Sequence, residues 1–154
     1  MTELKSQMKN INASQSEECK KYMVYLAQYP EIFEDLVTNA VLDFSIYDSI
    51  KSMDEENPIY SFHVLRCEQG IEIEPEKGED ADLELALSAV AVDKLTQTKT
   101  KSDYIKLFGY YYNDPDEDEG WIDFVLHKRT NQIIEMGYGK FAVEAGVIED
   151  EYGI

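Results

Sequence analysis

The sequence predicts an α+β domain with N-terminal helices on one face of a mainly antiparallel sheet, and three observations predict it. From Tyr60 to Leu87 three runs repeat with a period of two: Tyr60, Phe62 and Val64; Ile71 and Ile73; Leu83, Leu85 and Leu87. That period places one set of side chains on each face of a strand. Ahead of them, apolar residues recur at helical spacing, and behind them Ser88 opens another helical pattern through Leu95. No catalytic residue type punctuates the strands. They read as a scaffold that builds a surface or a cavity.

The elements follow in order. Residues 1–13 are polar and are expected to be a flexible N-terminus, with one α+β domain over 14–154. Ser14-Gln15-Ser16-Glu17 fits a capping box, which satisfies free amides at a helix start. Cys19, Tyr22, Met23 and Leu26 then recur every three or four residues, and predict a short amphipathic helix ending near Tyr29. Pro30 suits the first turn of the next helix. Ile32, Phe33, Leu36, Val37, Ala40, Val41, Phe44 and Tyr47 form a broad stripe at helical period, so a second helix is expected over 31–53. It stops at Asp54-Glu55-Glu56-Asn57-Pro58.

Three strands come next, turned at Gly70 and over 75–82. Leu83, Leu85 and Leu87 face the core and Glu84 faces water. Ser88 caps the following helix by accepting a bond from a first-turn amide. Thr96 to Lys101 is polar, and Ser102 restarts a helix through Phe108. Gly109, the run Tyr110-Tyr111-Tyr112 and an acidic loop from Asn113 to Gly120 follow. Trp121 to Leu126 fits a strand as well as a helix, being rich in strand formers; helix is the expectation. Gly137 and Gly139 end that segment, and Lys140 to Val147 is expected to be a last strand with Phe141, Val143 and Ala145 on one face.

Composition narrows the function classes. A chain of 154 residues, 44% hydrophobic and 12% aromatic, can bury a real core. No apolar run approaches the roughly 20 residues of a membrane-spanning helix. The first residues lack the apolar core of a signal peptide, so a cytoplasmic location is expected. Asp plus Glu number 32 against 14 Lys plus Arg, a net charge of −18. Such a surface repels phosphate backbones and anionic membranes. Direct nucleic-acid binding and stable membrane insertion are therefore not expected. Cys19 and Cys67 lie far apart without CxxC spacing and are expected to be two separate thiols.

No catalytic constellation, metal site or cofactor motif is present in the sequence. The loop Asp114-Pro115-Asp116-Glu117-Asp118-Glu119-Gly120 fails as an EF-hand: Glu119 stands where glycine is needed and Val125 where a bidentate carboxylate is needed. His63 and His127 lack a partner at ligand spacing. Gly137-Tyr138-Gly139-Lys140 is too short for a phosphate loop and reads as a turn. Eleven tyrosines, six phenylalanines and one tryptophan fit dense core packing. They also fit an apolar cavity with polar handles, because tyrosine joins an apolar body to a hydroxyl tip.

The stretch GIEIEPEKGEDADLELALSAVAVDKL resembles the middle of the sterol carrier protein 2-like (SCP2-like) lipid-transfer domains, where paired strands lead into a strand and then a helix. Ala81-Asp82, Leu83, Leu85, Leu87 and Ser88 carry that pattern. Gly139-Lys140-Phe141-Ala142-Val143-Glu144-Ala145-Gly146 is similar to the family's closing GK turn and strand. The resemblance spans about 31–147. It implies an SCP2-like fold and a hydrophobic ligand tunnel, although this chain carries extra sequence between the Ser88 helix and Gly139.

The expected function is a non-catalytic binder or carrier of a small apolar ligand: a lipid, fatty acid or acyl chain. The expected lining residues are Phe44, Tyr104, Phe108, Tyr111, Trp121 and Phe124. The alternative is an acidic interaction module with a filled core and a basic protein partner, such as a nucleic-acid mimic would have. An enclosed apolar void favours the first, a dry full core the second.

Overall fold

The computed structural model describes residues 17–149, with side chains from 20 onward. The expectations for the flexible N-terminus, the Ser14 capping box and the Cys19 thiol lie outside the described residues. Helix α1 (Glu17–Gln28) comes first and is followed by a 3-10 turn, Pro30–Phe33, with Pro30 in its first turn. Then come β1 (Val41–Tyr47), a short helix α2 (Ile50–Asp54), β2 (Tyr60–Cys67), β3 (Gly70–Pro75) and β4 (Leu83–Ser88). Helices α3 (Ala89–Leu95) and α4 (Lys101–Asn113), strand β5 (Ile122–Leu126), and helices α5 (Thr130–Glu135) and α6 (Tyr138–Glu144) complete the order. The class is α+β. No helix among the described residues is long and apolar enough to cross a membrane.

The five strands form one sheet in the order β3-β2-β1-β4-β5. Every pairing is antiparallel except β1 with β4. Register explains the two faces. Phe62, Phe44, Leu85 and Phe124 lie opposite one another across β2, β1, β4 and β5, as do Val64, Leu42, Leu83 and Leu126. Tyr60, Ile46, Leu87 and Ile122 make a third row. These rows share one face and most of their members are buried, beneath α1, the 3-10 turn, α3, α4, α5 and α6. Three strands and the Ser88 cap match the reading of the sequence. The Ser88 hydroxyl oxygen accepts from the amide of Ala91 and from that of Trp121, both at 3.1 Å.

The opposite face is polar and partly covered. His63, Asp43 and Glu84 stand side by side across β2, β1 and β4. The β3–β4 connection folds over them. Gly78 donates its amide to Asp43 at 2.8 Å, His63 Nδ1 donates to the Glu76 carbonyl at 3.0 Å, and Lys77 pairs with Glu84 at 2.6 Å. Glu84 also accepts from the Ser45 hydroxyl at 2.8 Å. It is thus tied down rather than freely solvated, a correction to its expected place in water.

Three elements differ from expectation. The helix expected over 31–53 is a 3-10 turn, a central strand and a five-residue helix. Leu42, Phe44 and Ile46 alternate with Asp43 and Ser45, and that period of two prevails because β1 finds ladder partners on both sides. Asn39 adopts φ +77°, which no helix tolerates. Second, the helix expected over 121–126 is β5, paired along β4. Third, the last strand expected over 140–147 is helix α6. Tyr138, Phe141, Ala142 and Ala145 sit at helical spacing and turn inward, and Gly137 bends the chain at φ +98° between α5 and α6. The expected GK turn is therefore absent, with Gly139 buried within α6.

Helix α4 begins just after Thr100, whose hydroxyl oxygen accepts from the Asp103 amide at 3.0 Å. It runs through Gly109 and the tyrosine triplet rather than ending at Phe108. Gly109 is required by packing. A Cβ there would stand 1.8 Å from the Ala145 carbonyl oxygen, so its absence lets the end of α6 approach α4.

Candidate ligand cavity

Between the inner face of the sheet and α4, α5 and α6 lies a cavity of about 300 Å³. Its floor is Leu42, Phe44, Leu83, Leu85, Phe124 and Leu126 from three adjacent strands. Those six are the β1, β4 and β5 members of two of the rows that the register sets side by side. Its roof is Tyr104 and Phe108 from α4, Ile133 and Ile134 from α5, and Tyr138, Phe141 and Ala142 from α6. Ile32, Phe33 and Leu36 close one side. Phe44, Leu83, Tyr104 and Phe108 are buried, whereas Ile134, Ala142 and Ile148 are half-buried and Thr130 is exposed. The open side thus lies between α5, α6 and the segment that follows α6.

Aromatic packing sets the shape. Phe44 stacks on Phe62 at 4.7 Å between ring centroids, and Phe108 meets Phe141 edge to face at 5.0 Å. Offset and edge arrangements of this kind hold rings in place beyond simple area burial. Lys101 binds Glu34 at 2.8 Å and Asp35 at 3.1 Å, and Lys140 reaches Asp35 at 3.6 Å. These ion pairs fasten the segment after the 3-10 turn to α4 and α6.

Among the described residues no Asp, Glu, Lys, Arg or His lines the cavity, and its polar side chains are Tyr104, Thr130 and Tyr138. Tyr104 is 1% exposed and bonds the Tyr22 hydroxyl at 2.7 Å. Burial raises the pKa of both phenols. Tyr138 donates to Asp82 at 2.7 Å, and burial followed by that carboxylate raises its pKa too. All three phenols therefore stay protonated and act as neutral donors. A charged guest would lose its hydration here without a counter-charge, so the cavity suits a neutral apolar one.

Four of the six residues expected from the sequence line the cavity: Phe44, Tyr104, Phe108 and Phe124. Two do not. Tyr111 is buried in the main core, its ring beside Gly120. Trp121 is 2% exposed in a separate cluster with Tyr47, Ala86 and Met53, stacked on Tyr47 at 6.3 Å between centroids. Tyr47 and Ala86 stand on the polar side of the sheet, so the sheet itself separates Trp121 from the cavity. The lining residues of α5 and α6 are missing from the sequence reading. Treating 138–145 as a helix would have brought Tyr138, Phe141 and Ala142 onto one face.

Among the described residues no group of three or more His, Cys, Asp or Glu is placed to hold a metal ion. In the acidic loop, Asp116 accepts the amides of Asp118 and Glu119 at 2.8 and 2.9 Å, so its carboxylate closes its own turn.

No protein-family model matches the chain, and no curated protein does so. Among solved structures the chain is similar to a UbiJ-SCP2 ubiquinone synthesis protein. The two are 14% identical over 84% of this chain and 88% of that one, with a TM-score of 0.39.

Proposed function

We propose that this chain is a non-catalytic binder or carrier of a small apolar ligand, such as a lipid or acyl chain, held between the sheet and helices α4 to α6. One observation supports this reading above the others: a cavity of about 300 Å³ with no charged residue in its wall among the described residues. That volume is at the lower end for small-molecule sites. Each methylene buried there is worth about 0.8 kcal/mol, so a chain of some ten carbons gains enough to offset the cost of association. The interaction-module alternative calls for a filled core, and the cavity weighs against it.

The test is a titration with undecane and 2-undecanone followed by methyl NMR. Leu42, Leu83, Leu85, Ile133 and Ile134 signals should shift saturably, while Leu65 and Val125 on the other side of the sheet stay still. Leu85→Trp, which fills the cavity, should abolish the shifts. Uniform or absent shifts in the wild-type chain would refute the carrier reading.

A further inference from the structure

Two buried phenols meet beside the cavity. Tyr104 lines it, and the Tyr22 ring stands edge-on to Phe44, another lining residue, at 5.6 Å. Their hydroxyls are 2.7 Å apart and form one hydrogen bond. Two phenols carry two O–H protons, and one bond uses one of them. Among the described residues neither hydroxyl has a second partner. A buried donor left unmet costs about as much as a lost hydrogen bond, and buried polar groups are ordinarily paired. Both residues are within 1% of complete burial. Of the two, only Tyr104 faces the cavity. If Tyr22 donates to Tyr104, the remaining proton belongs to the residue in the cavity wall. Burial keeps both phenols protonated, so the donor is present throughout the neutral range.

We infer that Tyr104 is a specificity-determining donor, and that the ligand carries a neutral carbonyl oxygen, as in a ketone or an ester, which accepts the spare phenolic proton. A carboxylate is disfavoured because no cation lines the cavity among the described residues. A pure hydrocarbon would leave the donor unmet. This inference rests on the carrier reading and narrows it to a ligand class.

The test compares 2-undecanone with undecane on the full chain. The ketone should bind about three- to tenfold more tightly than the hydrocarbon, the factor one neutral hydrogen bond supplies. Tyr104→Phe should erase that preference, so that the variant binds the ketone no more tightly than undecane. Tyr22→Phe should preserve it, because Tyr104 keeps its proton. Should Tyr104→Phe fail to fold, the infrared carbonyl stretch of the ketone bound to the wild-type chain decides the matter. A shift below its frequency in alkane solvent supports the hydrogen bond, and an unshifted band overturns it. Equal affinity for the two probes, with saturable binding of both, overturns the donor role and leaves the carrier reading standing. Binding of neither probe defeats both.

Discussion

The Tyr138 hydroxyl donates to the carboxylate of Asp82 at 2.7 Å, joining α6 to the start of β4 across 56 residues of sequence. Asp82 is 1% exposed, and two further donors reach its carboxylate. The Val41 amide donates to it at 2.9 Å and the Lys128 ammonium at 2.5 Å. One carboxylate therefore holds β1, the turn after β5, and a helix that roofs the cavity. The carboxylate tolerates burial because charged and neutral donors surround it.

Removing single partners should accordingly be costly. Tyr138→Phe should lower stability by about 1.5–3 kcal/mol, the usual value for a hydrogen bond to a charged group. Asp82→Ala, which strands the Val41 amide and the phenol together, should cost about 3–5 kcal/mol. Urea denaturation of the two single variants and the double variant closes a cycle. Strictly additive losses would mean that the two residues do not act through their mutual bond.

Asp43 gives a pH dependence. Burial pushes its carboxyl above the usual 3.8, although the Gly78 amide pulls it the other way and Glu84 adds to the rise. His63, Lys77 and Glu84 are the charged or titratable groups around it. A folded pKa above the unfolded one means that protonation favours the fold. The contribution is complete below the unfolded pKa and is lost as pH rises through the folded value. Asp43→Asn keeps an oxygen for the Gly78 amide but cannot ionise. Its melting temperature relative to wild type should therefore climb between pH 4 and pH 7 in thermal scans. A flat or falling difference would contradict the assignment.

Trp121 should be a silent reporter. It lies in the cluster with Tyr47, Ala86 and Met53, and among the described residues its indole nitrogen has no hydrogen-bond partner. Saturation with 2-undecanone should leave wild-type tryptophan emission unchanged. Phe124→Trp, three residues further on in β5 but facing the cavity, should respond to the same titration. A saturable change in the wild-type emission would place Trp121 nearer the ligand than its position on β5's N-terminal side allows.

Much of the strand block was legible because its signals are local. Alternation at Tyr60 to Val64, Ile71 to Ile73 and Leu83 to Leu87 has one physical outlet, a half-buried strand. Ser88 needs only the next three residues to cap a helix. The Cys19 to Leu26 pattern likewise read correctly as a helix. Ambiguity began where an apolar run satisfied two periods at once. Over 41–47 the helical stripe counted Val41, Phe44 and Tyr47, yet Phe44 and Tyr47 end on opposite sides of a strand. Over 140–147 the alternation of Phe141, Val143 and Ala145 concealed a helix with Tyr138, Phe141, Ala142 and Ala145 facing inward.

By itself the sequence determined the class of fold, the three-strand core, the acidic surface and four of the aromatic residues in the cavity wall. Aromatic identity sufficed there, because large apolar rings must be buried somewhere. Which side of the sheet each ring faces was decided only by the tertiary structure. Strand register put Phe124 in the row with Phe44 and Leu85, and Trp121 packs with Tyr47 and Ala86 on the other face. The cavity itself, the Tyr22–Tyr104 pair and the Asp82–Tyr138 bond have no local signal at all. The two bonds join residues 56 or more positions apart, the cavity wall joins β1, β4 and β5 to helices α4 to α6, and such proximity exists only after helices and sheet have packed.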